Sequence, residues 1–234
     1  MGIDEALLNR WSGAPVLLRL YAWQPPGLSL GYFQRHAEMS GNAAARDSGA
    51  VITRRITGGD AILHFHELTF SIVGLDGSFP FDDTVESSYH RIHEALASGF
   101  SAFGLTAAVR KAGERTEYPQ EGHQGRCFYA VTRYDLVCGE RKLVGSAQRR
   151  TAGKVLHHGS IPLAPNPMTP ESADLSTLSG RTITCDEAAA AVRRGVEDYF
   201  DVRLEEWPVD EAIIEEGRRL ARSKYGAAVW VERR

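Results

Sequence analysis

The stretch Arg141-Lys142-Leu143-Val144-Gly145-Ser146-Ala147-Gln148-Arg149-Arg150 does most to limit what this chain can fold into. Leu136, Val137 and Cys138 run into Gly139-Glu140, and Leu143 and Val144 follow directly after the turn. Two apolar runs around a short glycine turn form a β-hairpin, with one strand near 134–138 and the second from about Lys142. The second strand is chemically unusual. Gly145, Ser146 and Ala147 carry little side chain, so they are expected to leave backbone N–H groups uncovered for a close approach. A lysine beside such N–H groups suits an acyl oxygen, a carboxylate or a phosphate. A tight turn packed on a helix, with its lysine in water, accounts for the same residues, and the stretch alone leaves both readings open.

Around this hairpin, strands are expected at 16–23, 28–33, 51–55, 61–64, 68–73, 105–110, 128–131 and 155–163. Helices are expected at 3–10, 39–47, 82–100, 185–200 and 209–225. The 82–100 helix is the clearest, with Val85, Tyr89, Ile92, His93, Leu96 and Phe100 on one stripe. Strands and helices interleave without regular strand–helix–strand alternation, so the fold class is α+β. Residues 111–126 are polar and glycine-rich, and a long loop inside a compact domain is often functional. Neither a repeat nor an interdomain linker interrupts the 234 residues, so residues 1–234 are read as one domain.

Composition removes several functional classes. A formal net charge of −3 does not supply the basic surface that nucleic acid requires. The three cysteines, Cys127, Cys138 and Cys185, are odd in number and far apart, which excludes a disulfide framework and points to a reducing compartment. The sequence has neither an apolar run of membrane-spanning length nor a signal-like N-terminus, so a cytoplasmic protein is expected.

Several residues could carry chemistry. Cys127 closes the polar loop after Gly125-Arg126; it is either a reachable thiol beside a cation or a buried small hydrophobe. Cys138 and Cys185 read as structural. Arg54-Arg55-Ile56-Thr57-Gly58-Gly59 sets two guanidinium groups against a Gly-Gly turn that can cradle an anion, although solvated arginines at a strand end would look the same. His64 and His66 would share one strand face, but no third ligand follows at a sensible spacing, so no metal site is read. His157 and His158 precede Gly159-Ser160. Phosphate-loop, dinucleotide and Gly-x-Ser-x-Gly signatures are absent.

Two long motifs resemble the lipoate-protein ligase and octanoyltransferase superfamily. The first is Arg54-Arg55-Ile56-Thr57-Gly58-Gly59-Asp60-Ala61-Ile62-Leu63-His64 followed by Glu67-Leu68-Thr69-Phe70-Ser71. The second is Lys142-Leu143-Val144-Gly145-Ser146-Ala147-Gln148-Arg149-Arg150 followed by His158-Gly159-Ser160-Ile161. Asp4-Glu5-Ala6-Leu7-Leu8 and Leu28-Ser29-Leu30-Gly31-Tyr32-Phe33-Gln34 are similar to the family's opening segments. The resemblance implies mixed sheets flanked by helices, as in biotin and lipoate ligases. It implies an acyl site formed by Arg55, Thr57, Gly58, Gly59, His64, Gly145, Ser146, Ala147, His158 and Gly159, with Lys142 at the acyl carbonyl.

In one octanoyltransferase branch a Cys-Phe segment carrying the nucleophile precedes a Tyr-Asp/Glu-Leu strand, as Cys127-Phe128 here precedes Tyr134-Asp135-Leu136. The resemblance therefore implies that Cys127 accepts octanoate from octanoyl-acyl carrier protein, with Lys142 stabilising the oxyanion. The acceptor would be a lysine of a lipoyl domain or of the glycine-cleavage H protein. Arg54, Arg149 and Arg150, with Arg55, would steer acidic partners, and His64 or His158 would handle protons. No cofactor is needed on that route. The alternatives are an ATP- and magnesium-dependent lipoate or octanoate ligase, an amidotransferase between lipoyl-domain proteins, and a non-catalytic acyl-binding homologue. Two residues depart from the family pattern. Asp60 replaces the usual glycine or arginine and would repel an adenylate phosphate, and Phe65 replaces a common acid.

Overall fold

The computed structural model describes residues 1–10, 16–110, 125–129 and 134–234, with the side chain of Tyr129 not included. In chain order the elements are α1 (Gly2–Arg10), β1 (Val16–Tyr21), β2 (Gly27–Leu30), α2 (Ala43–Asp47), β3 (Val51–Arg54), β4 (Ile62–His64), β5 (Glu67–Leu75), α3 (Val85–Phe100), β6 (Ala108–Val109), β7 (Leu136–Cys138), β8 (Arg141–Thr151), β9 (Lys154–Pro162), α4 (Leu175–Ser179), α5 (Cys185–Phe200), α6 (Glu211–Leu220) and α7 (Ala228–Val231). One sheet has six strands in the order β1-β5-β9-β8-β7-β6, all antiparallel. A smaller sheet, β3-β2-β4, is mixed: β2 runs parallel to β3 and antiparallel to β4. The fold is α+β, with both sheets flanked by helices.

The strands alternate cleanly, so the six-stranded sheet has two different faces. Leu68, Phe70 and Ile72 of β5, with Val155 and Ile161 of β9, join the main core beneath α3 and α5. The intervening Val73 and Leu156 point the other way, into a second cluster with Leu7 of α1 and Ile213 and Leu220 of α6. On α3, Ile92, His93, Leu96 and Phe100 are buried as the stripe requires, while Val85 stays largely exposed in the first turn after the Thr84 cap. The expected 128–131 strand is not formed in its described part, where Cys127–Tyr129 is a 3-10 turn. Most of the 111–126 loop lies outside the described residues.

The hairpin contains one irregularity that decides the site. Leu136 pairs with Val144, but Val137 pairs with Lys142, so one step along β7 spans two along β8. The extra residue is Leu143, and a bulge of this kind changes which face the following side chains take. In one-to-one pairing Lys142 and Gly145, three residues apart, would point to opposite faces. With the bulge they share the face away from α3.

Candidate active site

The first motif builds one wall of the site. Arg55 lies buried behind the Gly-Gly turn, donating to the backbone oxygens of Ser29, Gly58 and Asp60 at 2.9, 2.8 and 2.7 Å. Burial lowers its pKa, but the carbonyls occupy its donors. A Cβ on Gly31 would fall 1.7 Å from the Gly59 oxygen, so glycine at 31 is what lets strand β2 and the turn close together. The Cys127 segment is clipped to the end of this wall. Ala61 N donates to Gly125 O at 2.8 Å, and Cys127 N donates to Ala61 O at 2.9 Å.

The second motif supplies the opposite wall. A Cβ on Gly145 would lie 3.0 Å from Lys142 Cε and 3.3 Å from Cys127 Sγ, so the bare backbone at 145 is what admits both side chains. Lys142 is 4% exposed, against the ordinary expectation for a lysine after a turn. Its Nζ lies 2.8 Å from Asp135 Oδ2, 3.2 Å from Cys127 O and 3.7 Å from Cys127 Sγ. Burial by itself lowers the Lys142 pKa; the negative charges of Cys127 and Asp135 outweigh it and leave the ammonium strongly favoured. Lys142 is thus a permanent cation and hydrogen-bond donor, not a base.

Cys127, half-buried, lines a cavity with Arg55, Gly59, His64, Gly145, Ser146, Ala147, His158 and Gly159. Thr57 and Gly58 stand behind the lining: Thr57 Oγ1 holds His158 Nε2 at 2.7 Å, and Gly58 O accepts from Arg55. Tyr21, Trp23, Ile62, Thr69 and Ser160 complete the walls around about 410 Å³ of non-atom space, part of it open to solvent. The backbone of Gly145, Ser146 and Ala147 is paired with β9 along one edge, through Ser160, Gly159 and His158, while β7 ends opposite Val144. The expectation of an uncovered stretch thus holds for pairing by β7 and fails along the β9 edge.

Burial keeps His93, His157 and His158 neutral. Burial lowers His93 to about 4 and His158 to about 3, and lowers His157 well below its usual value. Neutral His93 donates from Nδ1 to Tyr134 O and accepts the Ser146 hydroxyl at Nε2, 2.8 Å away, which fixes the residue next to Asp135 from the α3 side. These shifts give a pH prediction. The unfolded histidines bind protons below about 6.5 and the folded ones do not until about 4. Stability should therefore fall as pH drops through that window, at about 1.4 kcal/mol per pH unit for each histidine. Urea midpoints at pH 7.0, 6.0 and 5.0 measure it; a flat midpoint would contradict the buried-neutral assignment.

Other residues singled out in the sequence are placed differently. Arg54 is fully buried and donates to the backbone oxygens of Gly31, Gln34, Trp230 and Val231, so it is structural and does not reach a partner. Arg150 is committed to Asp76 at 2.6 Å and to Ser88 Oγ at 3.1 Å, on the α3 face. Arg149 donates to Ile56 O at 2.9 Å and lies over the Tyr32 ring, where Arg233 also stacks. His64 is inside and His66 outside, at a positive-φ turn, so they do not share a face. Cys138 and Cys185 are half-buried, each with its thiol 3.6 Å from a backbone oxygen. Asp135, Trp23, Thr69 and Ser160 are site residues that sequence reasoning did not single out. Only Asp135, directly before the Leu136-Val137 run of the hairpin, left a readable signal.

Comparison with known proteins identifies the family. The lipoyl protein ligase A/B catalytic domain family matches residues 1–213. The chain belongs to this family. Octanoyltransferase LipM of Moorella thermoacetica is 35% identical over 269 residues, covering 100% of this chain and 93% of the relative. Octanoyltransferase LipM of Bacillus anthracis is 33% identical over 256 residues, with 98% and 92% covered. Among solved structures, a lipoate-protein ligase A bound with ATP superposes with a TM-score of 0.80 at 22% identity, covering 99% of this chain and 92% of that one, which establishes the shared fold. No helix among the described residues is long and apolar enough to cross a membrane.

Proposed function

We propose that this chain transfers an octanoyl group from an acyl carrier protein thioester, through a thioester on Cys127, to a lysine amine of a lipoyl domain or of the glycine-cleavage H protein. Its activity is that of an octanoyltransferase of protein lipoylation. The observation that carries the cysteine route is Cys127 Sγ in the cavity wall, 3.7 Å from the Lys142 ammonium.

In the first half-reaction the Cys127 thiolate attacks the carrier thioester carbonyl. A carbon–sulfur bond forms, the carbonyl oxygen takes the negative charge, and collapse expels the pantetheine thiolate, which takes a proton from water. Lys142 begins with its donors directed at Asp135, the Cys127 carbonyl and the sulfur. Acylation removes the negative charge from sulfur, so the donor aimed there is released toward the developing oxyanion. In the second half-reaction the acceptor amine attacks the enzyme thioester, the Cys127 thiolate leaves, and the amine loses a proton to solvent. ATP and magnesium have no step in this route. Residues 1–234 act as one catalytic domain in the cytoplasm.

The test compares octanoyl-carrier protein with octanoate, ATP and magnesium as donors to a lipoyl domain. Carrier-dependent, ATP-independent modification with a Cys127-borne octanoyl adduct supports the proposal. ATP-dependent modification from free octanoate by the Cys127→Ser variant would replace it with a ligase, and transfer only from an octanoylated H protein would make the enzyme an amidotransferase.

A further inference from the structure

His93 of α3 spans the point where β7 and β8 part, and we propose that it is a positioning residue that aims Asp135, and through Asp135 the Lys142 ammonium, at the reacting carbonyl. The inference rests on the reading of Lys142 as oxyanion donor in the acylation of Cys127. An apolar side chain would serve packing at position 93, on the stripe with Ile92, Leu96 and Phe100, yet a fully buried histidine stands there. A buried imidazole needs partners for both of its nitrogens, and His93 has them. Pairing between β7 and β8 stops at Leu136 and Val144. Beyond that pair, His93 Nδ1 donates to the Tyr134 carbonyl, on the β7 side. Its Nε2 accepts the Ser146 hydroxyl, on the β8 side, at 2.8 Å. The ring therefore joins the two strands across the opening where Gly145, Lys142 and Cys127 meet.

The segment that His93 holds is strained and clamped at both edges. Tyr134 is left-handed, with φ 71°, a conformation that an aromatic L-residue rarely adopts. Tyr134 N donates to Arg110 O at 3.2 Å, and Arg110 N donates to Asp135 O at 3.0 Å, so the chain following β6 fixes one edge. The other edge carries the Tyr134 carbonyl, which His93 takes. A backbone in a sparsely populated region persists only where its surroundings over-determine it. That conformation sets the direction of the next side chain. The Asp135 carboxylate stands 2.8 Å from Lys142 Nζ, and Lys142 Nζ reaches Cys127 Sγ at 3.7 Å. Support thus runs from α3 to the Tyr134 peptide, then to Asp135, then to Lys142. The carbonyl demands a proton on Nδ1, which leaves Nε2 as the acceptor. A phenyl ring at 93 would fill the same space and hold neither strand, whereas a glutamine amide carries one donor group and one acceptor and can hold both.

The experiment follows single-turnover octanoylation of Cys127 by intact mass, over a range of octanoyl-carrier protein concentrations, on the wild type, His93→Phe, His93→Gln and Ser146→Ala. The amplitude counts folded, competent molecules, and the limiting rate reports the chemical step. His93→Phe should lower the limiting rate by about 10²-fold. The half-saturating carrier concentration should not move, because His93 does not line the cavity. His93→Gln should restore most of the rate. Ser146→Ala, which removes one of the two bonds and leaves the core filled, should cost less than His93→Phe. In the Lys142→Met background His93→Phe should change the rate by less than about twofold, since both act through one ammonium. A folded His93→Phe at the wild-type rate, or Ser146→Ala at that rate where His93→Phe does not fold, would overturn the proposal. Equal losses in the phenylalanine and glutamine variants, or losses that multiply in the double variant, would do the same. Absence of any octanoyl adduct on wild-type Cys127 would remove the thioester route and the proposal with it, whereas the other outcomes remove the proposal alone.

Discussion

Serine at position 127 should lower octanoyl transfer by at least about 10⁴-fold while leaving thermal unfolding close to wild type. The site is arranged for an anion that a thiol forms readily and a hydroxyl does not. Lys142 is a cation within reach of Sγ, and it cannot take a proton from a serine, because Asp135 favours its ammonium form. A serine there would need a base. The buried imidazoles are already engaged: His64 with Ser29 and Glu67, His158 with Thr57, and His93 with Tyr134 and Ser146. Single-turnover adduct formation and lipoyl-domain modification would both measure the loss. A serine variant retaining more than a tenth of wild-type turnover would show that Cys127 is not the acyl acceptor.

Removing Lys142 should be nearly as damaging, but by two separable routes. Losing one preorganised donor to an oxyanion slows the chemical step by about 10²–10³-fold. Lys142→Met also takes the ammonium away from the Asp135 carboxylate, which is 5% exposed, and breaking a buried pair from one side costs about 3–5 kcal/mol of stability. The double variant Lys142→Met/Asp135→Leu removes both charges. It should recover most of the stability and none of the activity. Denaturant midpoints and adduct-formation rates on the three proteins separate the effects. Recovery of activity in the double variant would show that Lys142 acts only as a structural partner of Asp135.

How much could be read in advance varies with the range of the interaction. The 185–200 helix was legible to its ends, because its stripe and its Thr184 and Glu187 cap are local. The hairpin was legible from its glycine turn and apolar runs. The nucleophile and the lysine were reached through motif resemblance, because spacing alone left Cys127 and Lys142 with bland alternatives. Arg54 was misjudged: two adjacent arginines at a strand end look alike in sequence, and only the chain returning near Trp230 and Val231 decides that Arg54 faces inward. Trp23 read as the tail of a strand, since its partners Thr69 and His64 lie more than forty residues away. The extra residue in β8 left no compositional mark, because Leu143 and Val144 are both apolar and both buried.

That extra residue makes the chemistry depend on a count as well as on identities. Lengthening β7 by one residue between Leu136 and Val137 would preserve every residue named in the site, give Leu143 a partner and restore strict alternation along β8. The ammonium would then rotate toward α3, among Ile92, Leu96 and Phe100, and away from the sulfur. Homologues with the same letters in a different phase along this strand would therefore be folded proteins without turnover. Alignments of the region discriminate active from inactive chains only when they register gaps within it as strictly as substitutions.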